Sequence, residues 1–256
     1  FNGSSNQLIT GRNPNITNFA NLLISNSNSA LIDSLASATN IRVNKDLTIN
    51  TGILADGGNT VTVIGNIYNT SVHRSPAAAN GIVMAGTQKQ FISGNGIGAF
   101  GNININNATG VDLLDNATIN GMLTFTSGLL YIDDMLLTLG ANASIGGTPN
   151  ATRMIRINGA LSDLGVKKIY PSGTSSFTFP VGVSGKYTPA TLNVTSNPYT
   201  GISSITVKPI NSKHPATYET PATTDELQYY WYVASSGFTN GATINHTYTY
   251  FSADAL

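Results

Sequence analysis

The chain contains no cysteine. That excludes a disulfide framework and any metal held by thiolates, but not an extracellular address, which depends on export and not on disulfides. Charge is almost as scarce. Only 9% of the 256 residues are charged, against roughly 25% in ordinary soluble domains. The 12 basic residues balance the 12 acidic ones, so there is no basic surface for nucleic acid or for an anionic membrane. No apolar run approaches the roughly 18 residues that span a bilayer. The opening FNGSSNQ carries no signal-peptide pattern. In place of charge the chain has thirty asparagines and 26 glycines, with abundant Thr and Ser. This composition suits stacked β-structure with a polar, uncharged surface, provided that the sheet edges are covered.

The stretch Phe100–Gly140, FGNININNATGVDLLDNATINGMLTFTSGLLYIDDMLLTLG, sets the pattern. Apolar residues alternate with Asn and Thr at Ile103/Ile105, Val111/Leu113, Ala117/Ile119, Leu123/Phe125, Leu129/Tyr131 and Leu137/Leu139. Each pair is followed by Asn, Gly, Asp or Ser, which is the signature of short, half-buried strands. Strands recur every six to eight residues, so three of them would make a turn of about 20 residues. That period predicts an all-β fold, a three-sided right-handed parallel β-helix with Asn at its corners. Ile119 and Leu123 should point inward, and Thr118 and Asn120 outward or into a corner.

The same text occurs earlier. FNGSSNQLITG at Phe1–Gly11 matches MAGTQKQFISG at Met84–Gly94, and FANLLISNS at Phe19–Ser27 matches FGNININNA at Phe100–Ala108. Further on, Leu47–Asn50 matches Ala117–Asn120, Gly52–Leu54 matches Gly128–Leu130, and the VTVIG ending at Gly65 matches the LLTLG ending at Gly140. The offset drifts from 83 to about 70 and back to 75, as two imperfect copies with loop insertions would give. The blocks are 1–65 and 84–147 within a β-helix over 1–165. Between them Asn66–Ala79 reads as a loop that widens one turn. From about residue 165 the strands lengthen and prolines at 171, 180, 189 and 198 punctuate them. Residues 166–256 are therefore expected to form an antiparallel β-sandwich module, incomplete at its C-terminus.

The order of block, block and the FTFPVGVSGKYTPATLNVT segment at Phe177–Thr195 resembles the repeat region of large Bacteroidetes cell-surface proteins, including gliding-motility adhesins, that leave the cell by the type IX secretion route. The likeness covers nearly the whole chain, although no C-terminal sorting domain is visible. It implies an extracellular, cell-surface location and a role in adhesion or structural spacing. Neighbouring modules of the same longer chain would then be the partners, with surface glycans and self-association as further possibilities. Phe1 falls inside a repeat copy, so the first turn should lie open or covered by a partner.

Parallel β-helices include polysaccharide-cleaving enzymes, which makes paired catalytic groups a possibility to weigh against the residues present. Glycoside hydrolysis needs two carboxylates facing one groove. Asp133 and Asp134 are adjacent, which in a strand sends them to opposite faces, and they read as a turn matched by Gly58 and Asn59. Lys167 and Lys168, the paired lysines that a lyase would want, have no carboxylate cluster near in sequence. His73, His214 and His246 lack metal-ligand spacing. Asp33, Asp46, Asp56, Asp112 and Asp115 form no calcium loop, although a structural calcium held between domains by scattered oxygens stays open. No catalytic residue, resident metal or cofactor is assigned.

Aromatics give the binding candidates. In the run LQYYWYV, Tyr229, Trp231 and Val233 share one face and Tyr230 and Tyr232 the other; Tyr248 and Tyr250 repeat that spacing. Exposed tyrosine pairs could form a platform for a sugar ring; packing against neighbours is the alternative. Asn-x-Ser/Thr triplets at Asn15, Asn69, Asn107, Asn116, Asn142, Asn150, Asn193 and Asn245 are expected by chance in so Asn- and Thr-rich a chain. Asp33-Ser34-Leu35 resembles the short O-glycan acceptor of Bacteroidetes, with Ser34 as the acceptor. The expectation is a non-catalytic stalk or adhesin part. A carbohydrate-binding module using Tyr230, Tyr232, Tyr248 and Tyr250 is the second reading, and a β-helical polysaccharide-degrading enzyme the third.

Overall fold

Alternation decides the architecture. In Ile41–Val43, Val61–Val63, Ile82–Met84 and Ile103–Asn106 every second side chain is buried. A three- or four-residue strand can bury one face only if another layer closes over it, and here the chain closes over itself. In this computed structural model, which describes residues 1–11, 16–77, 79–216 and 226–255, the chain forms a parallel β-solenoid of about seven turns with antiparallel sheet at its C-terminal end. By compactness it divides into two units, Phe1–Tyr131 with Asn142–Thr148, and Ile132–Ala141 with Pro149–Leu256.

The first unit has three parallel faces. Gln7–Ile9, Ile32–Leu35, Ile53–Ala55, Val72–Arg74, Ala99–Phe100 and Ala117–Ile119 make the first. Thr17–Phe19, Ile41–Val43, Val61–Val63, Ile82–Met84, Ile103–Asn106, Met122–Ser127 and Ser144–Gly147 make the second. Leu22–Ser25, Leu47–Thr51, Ile67–Asn69, Gln90–Gly94, Val111–Leu113 and Leu130–Tyr131 make the third. Inward side chains stack in register from turn to turn. Ile41, Val61, Ile82, Ile103 and Leu123 form one such ladder, and none is more than 2% exposed. Ile119 is also buried, while Thr118 is half-buried and Asn120 exposed.

Corner Asn and Asp side chains join the turns. Asp46 N donates to Asn21 Oδ1 at 3.2 Å, Asn66 N to Asp46 Oδ1 at 2.7 Å and Phe91 N to Asn66 Oδ1 at 3.0 Å. One corner thus carries three hydrogen bonds in series through four turns. Asn40 and Asn102 accept the N–H of Thr60 and Met122 in the same way. A side-chain carbonyl here takes the backbone donor that a bend would otherwise leave unpaired.

The repeat is eleven strands long: Gln7–Ile9 is the first strand in chain order and Gln90–Gly94 the twelfth. Eleven is not a multiple of three, so matching text lies on different faces. Gln7–Ile9 is on the first face and Gln90–Gly94 on the third. Local geometry survives this rotation. Gly3 N donates to Gln7 Oε1, as Gly86 N does to Gln90 Oε1, at 3.2 and 2.8 Å. Gly52 and Gly128 both hold positive φ, +100° and +85°. The match of Leu47–Asn50 with Ala117–Asn120 is one strand out, because Leu47–Thr51 is the sixth strand and Ala117–Ile119 the sixteenth; this is where the offset fell to 70.

One further expectation needs correction. Asn66–Ala79 is not one loop, for it holds the strands Ile67–Asn69 and Val72–Arg74. Buried Ile67 and Asn69, and His73 after them, keep the inward register, and the backbone leaves it only from Ser75. The first turn is an open end, as expected: among the described residues Gln7–Ile9 and Thr17–Phe19 each pair on one side only, and the edge that is covered is that of Leu22–Ser25. The Phe1 ammonium donates to Leu23 O, and Phe1 O and Gly3 O accept from Ser25 N and Ser27 N, so residues 1–3 pair along Leu22–Ser25. Phe19 is half-buried in its strand.

In the second unit Gly165–Tyr170 pairs parallel with Leu136–Leu139 and antiparallel with Ser203–Ile210, which in turn pairs with Tyr230–Ser236. A second antiparallel sheet holds Ser175–Phe179, Ala190–Ser196 and Thr243–Tyr248. The sheets meet in sandwich-like fashion. Trp231 stacks on Tyr248 with centroids 4.9 Å apart, and Lys168 Nζ lies 5.3 Å from the Phe177 ring.

Candidate functional site

The apolar ladders run unbroken on the second face, but the first face turns polar groups inward. Asp33, Leu54 and His73 stand in one register. Asp33 is fully buried; its Oδ2 accepts from Asn26 Nδ2 at 2.9 Å, and its Oδ1 has no hydrogen bond. Asp56 and His73 are buried too, with His73 Nε2 2.9 Å from Asp56 Oδ2. The Ser75 hydroxyl donates to the same oxygen, and Gly58 N donates to Asp56 Oδ1 at 2.7 Å. On the far side Gly101 N donates to His73 Nδ1 at 3.2 Å, and Asn102 N to Ser75 Oγ at 2.8 Å. The turn length brings these groups together: Ser75 follows Asp56 by 19 residues and His73 by 17, close to one lap of the coil.

The hydrogen bonds fix what this cluster can do. Nδ1 accepts a backbone N–H, so the ring proton sits on Nε2 and goes to Asp56. Ser75 donates to Asp56 and not to the imidazole. A serine nucleophile needs a base holding its proton, and here both imidazole nitrogens are committed elsewhere. The cluster ties three turns together.

Above it lies a groove of about 710 Å³ lined by Val72, Ala99, Arg74, Asn120, Met122 and Asn142, among others. Val72 and Ala99 face each other across one strand step and with Met122 make an apolar floor. Arg74, Asn120, Asn142 and Ser144 are exposed along it, and among the described residues no acidic one lines it. Sequence reasoning missed this site, although the one-turn spacing of Asp56, His73 and Ser75 was a usable signal.

The tyrosines named from sequence do not converge. Tyr232 is 46% exposed, with Lys208 Nζ 4.9 Å from its ring. Tyr230, on the same side of its strand, is half-buried against His214. Tyr248 lies against the opposite side, on Trp231, with its hydroxyl 2.8 Å from His246 Nδ1, and burial raises its pKa. Tyr250 is 51% exposed. Tyr229 is buried, its hydroxyl bonded to Thr188, and desolvation pushes its pKa up.

The other candidates are placed singly. Asp133 has φ of +43° in the turn with Asp134, and Asp133 Oδ1 is 3.4 Å from Arg156. Gly57 and Gly58 make the matching turn of the first copy. Lys168 is buried, with its ammonium donating to the carbonyls of Gly140, Ala141 and Ile169, and desolvation lowers its pKa to about 8. Lys167 is half-buried. Asp46 caps Asn66 N, Asp112 pairs with Lys89 at 2.8 Å and Asp115 accepts from Gly94 N. Among the described residues no three His, Cys, Asp or Glu gather to hold a metal. Ser34 is half-buried on the first face. Asn69 and Asn107 are buried and bonded inside the coil; Asn15 lies outside the described residues. Compared with family models, curated proteins and solved structures, the chain matches none of them.

Proposed function

We propose that this chain is a non-catalytic structural segment, a stalk or adhesin part of an exported bacterial surface protein. The observation that carries this reading is the corner ladder Asn21–Asp46–Asn66–Phe91, whose side chains bond each turn to the next. Such bonds lie along the stacking direction, where tension on a spacer would act, and of their three acceptors only Asp46 draws on the chain's scarce charge. The spent hydrogen-bonding capacity of His73 and Ser75 is consistent with it. The likeness to Bacteroidetes surface repeats supplies the cell-surface setting, with neighbouring modules of the same chain as partners.

Single-molecule pulling between the two ends tests the reading. Release turn by turn should lengthen the chain by roughly 70 Å per step, about 20 residues at about 3.5 Å each. Asn66→Ala should lower the force of the steps it bridges. Unfolding in one weak event, with no effect of Asn66→Ala, would remove the spacer reading. A second reading, a carbohydrate-binding module, rests on Tyr232, a strongly exposed ring with Lys208 beside it.

A further inference from the structure

The groove beside the Asp56–His73–Ser75 cluster has features that structural spacing does not need. Its lining comes from successive turns: Val72, then Ala99, then Asn120, then Asn142. The registers Val72↔Ala99↔Thr118 step along the first face, and Ser144 N reaches back to Gly121 O on the preceding turn. Four turns at roughly 4.8 Å per strand step give a trough about 14 Å long. That length suits an extended chain more than a compact small molecule. The floor of Val72, Ala99 and Met122 is apolar, and the rim of Asn120, Asn142 and Ser144 offers amides and a hydroxyl. Among the described residues that line it, Arg74 alone carries a fixed charge. Among the described residues its guanidinium has no hydrogen bond or ion pair; its backbone alone is engaged, accepting from Asp56 N. The buried Asp56 beneath is satisfied by Gly58, His73 and Ser75, which leaves Arg74 free to meet an outside anion.

We propose that this groove binds a carboxylated polysaccharide, with Arg74 paired to a uronate or similar sugar acid and Asn120 and Asn142 bonded to ring hydroxyls. An uncharged amide rim matches hydroxyls, which donate and accept as amides do. An apolar floor suits the C–H face of a sugar ring. The planar fork of arginine fits a carboxylate in bidentate fashion. An acidic peptide is the weaker occupant, because the strands that carry the floor residues Val72, Ala99 and Met122 are each paired on both sides and offer a peptide backbone no edge there. The proposal is independent of the spacer reading, so pulling behaviour and glycan binding can fail separately.

Titration of the chain with a panel of acidic oligosaccharides (oligogalacturonate, alginate, hyaluronan and sialylated fragments) is the test, with methyl-esterified oligogalacturonate and polyglutamate alongside. At least one acidic glycan should bind, more weakly as salt rises, with little affinity for the ester or for polyglutamate. Arg74→Ala, on an exposed side chain, should lower affinity roughly tenfold or more, Arg74→Lys should recover part of it, and Tyr232→Ala should change nothing. Circular dichroism of each variant checks that the fold is kept. Silence from the whole panel at millimolar concentration overturns the proposal, as does equal binding of the ester. Binding that survives Arg74→Ala but not Tyr232→Ala would move the site to the second unit, and equal capture of polyglutamate would make the groove a peptide site.

Discussion

Lys168 shows how far one residue can depart from the rule of its surroundings. It is 3% exposed, in a strand whose inward neighbours are Val166 and Tyr170, and among the described residues no carboxylate pairs with it. Three backbone carbonyls take its protons instead. Burial lowers its pKa from 10.5 to about 8, so the unfolded chain binds this proton more tightly than the folded one. The stabilisation from keeping Lys168 neutral is complete above pH 10.5 and is lost as pH falls from there to 8, a loss of up to about 3 kcal/mol. Tyr170 and Tyr229 act in the opposite sense. Desolvation raises both pKa values, so unfolding releases their protons and stability falls as pH rises beyond about 10. Urea melts followed by Trp231, the single tryptophan, should therefore show stability rising from pH 8 towards 10 and then falling. Lys168→Met should flatten the rising limb and leave the falling one. An unchanged rising limb in Lys168→Met would mean that another group titrates there. The sequence marked Lys167 and Lys168 as a pair, but their division into a half-buried and a buried side chain follows only from the strand register.

At the scale of strands and turns, much was legible because the inward positions recur with period two and the turns with a period near 20. Ile119 and Leu123 inward, and Asp133–Asp134 in a turn, follow from those two periods. The interior polar cluster was not legible by the same route. Asp56, His73 and Ser75 look unrelated until the lap length folds them onto one another. The misread segment Asn66–Ala79 has a related cause: Tyr68, His73, Arg74 and Pro76 look like loop chemistry, yet Tyr68 and Arg74 are outward positions of real strands. Turns are also where a single atom is most costly. At Gly128, with φ of +85°, an added Cβ would lie 1.8 Å from Asn107 O. At Gly173, with φ of +87°, it would meet nothing within 4 Å. Gly173→Ala should then cost only the left-handed strain, about 1–2 kcal/mol. Gly128→Ala must also displace the backbone of the preceding turn, so its thermal midpoint should fall well below that of Gly173→Ala. Equal midpoints would show that the coil yields at this corner, and the tight inter-turn fit would be wrong.

For the molecule as a whole, the scarcity of charge matters most where strands end a sheet. Among the described residues, Tyr230–Ser236 pairs on one side only, with Ser203–Ile210, and Thr243–Tyr248 only with Ala190–Ser196. Neither strand carries Lys, Arg, Asp or Glu; His246 is their one titratable group besides tyrosine. Open edges are ordinarily protected by charge, lysine above all, because an unpaired row of N–H and C=O groups accepts another strand. With formal net charge zero and a pI near 7.0, long-range repulsion between molecules is also weakest at neutral pH. Self-association should therefore peak near pH 7 and weaken on either side, as light scattering against concentration would record. The edge can be separated from net charge by placing one lysine in two positions. Thr247→Lys charges an exposed edge residue, whereas Thr48→Lys adds the same charge to a strand paired on both sides, between Leu23 and Tyr68. Thr247→Lys should suppress association at pH 7 and Thr48→Lys should leave most of it. Equal suppression by both would assign the association to net charge alone and acquit the strand edges.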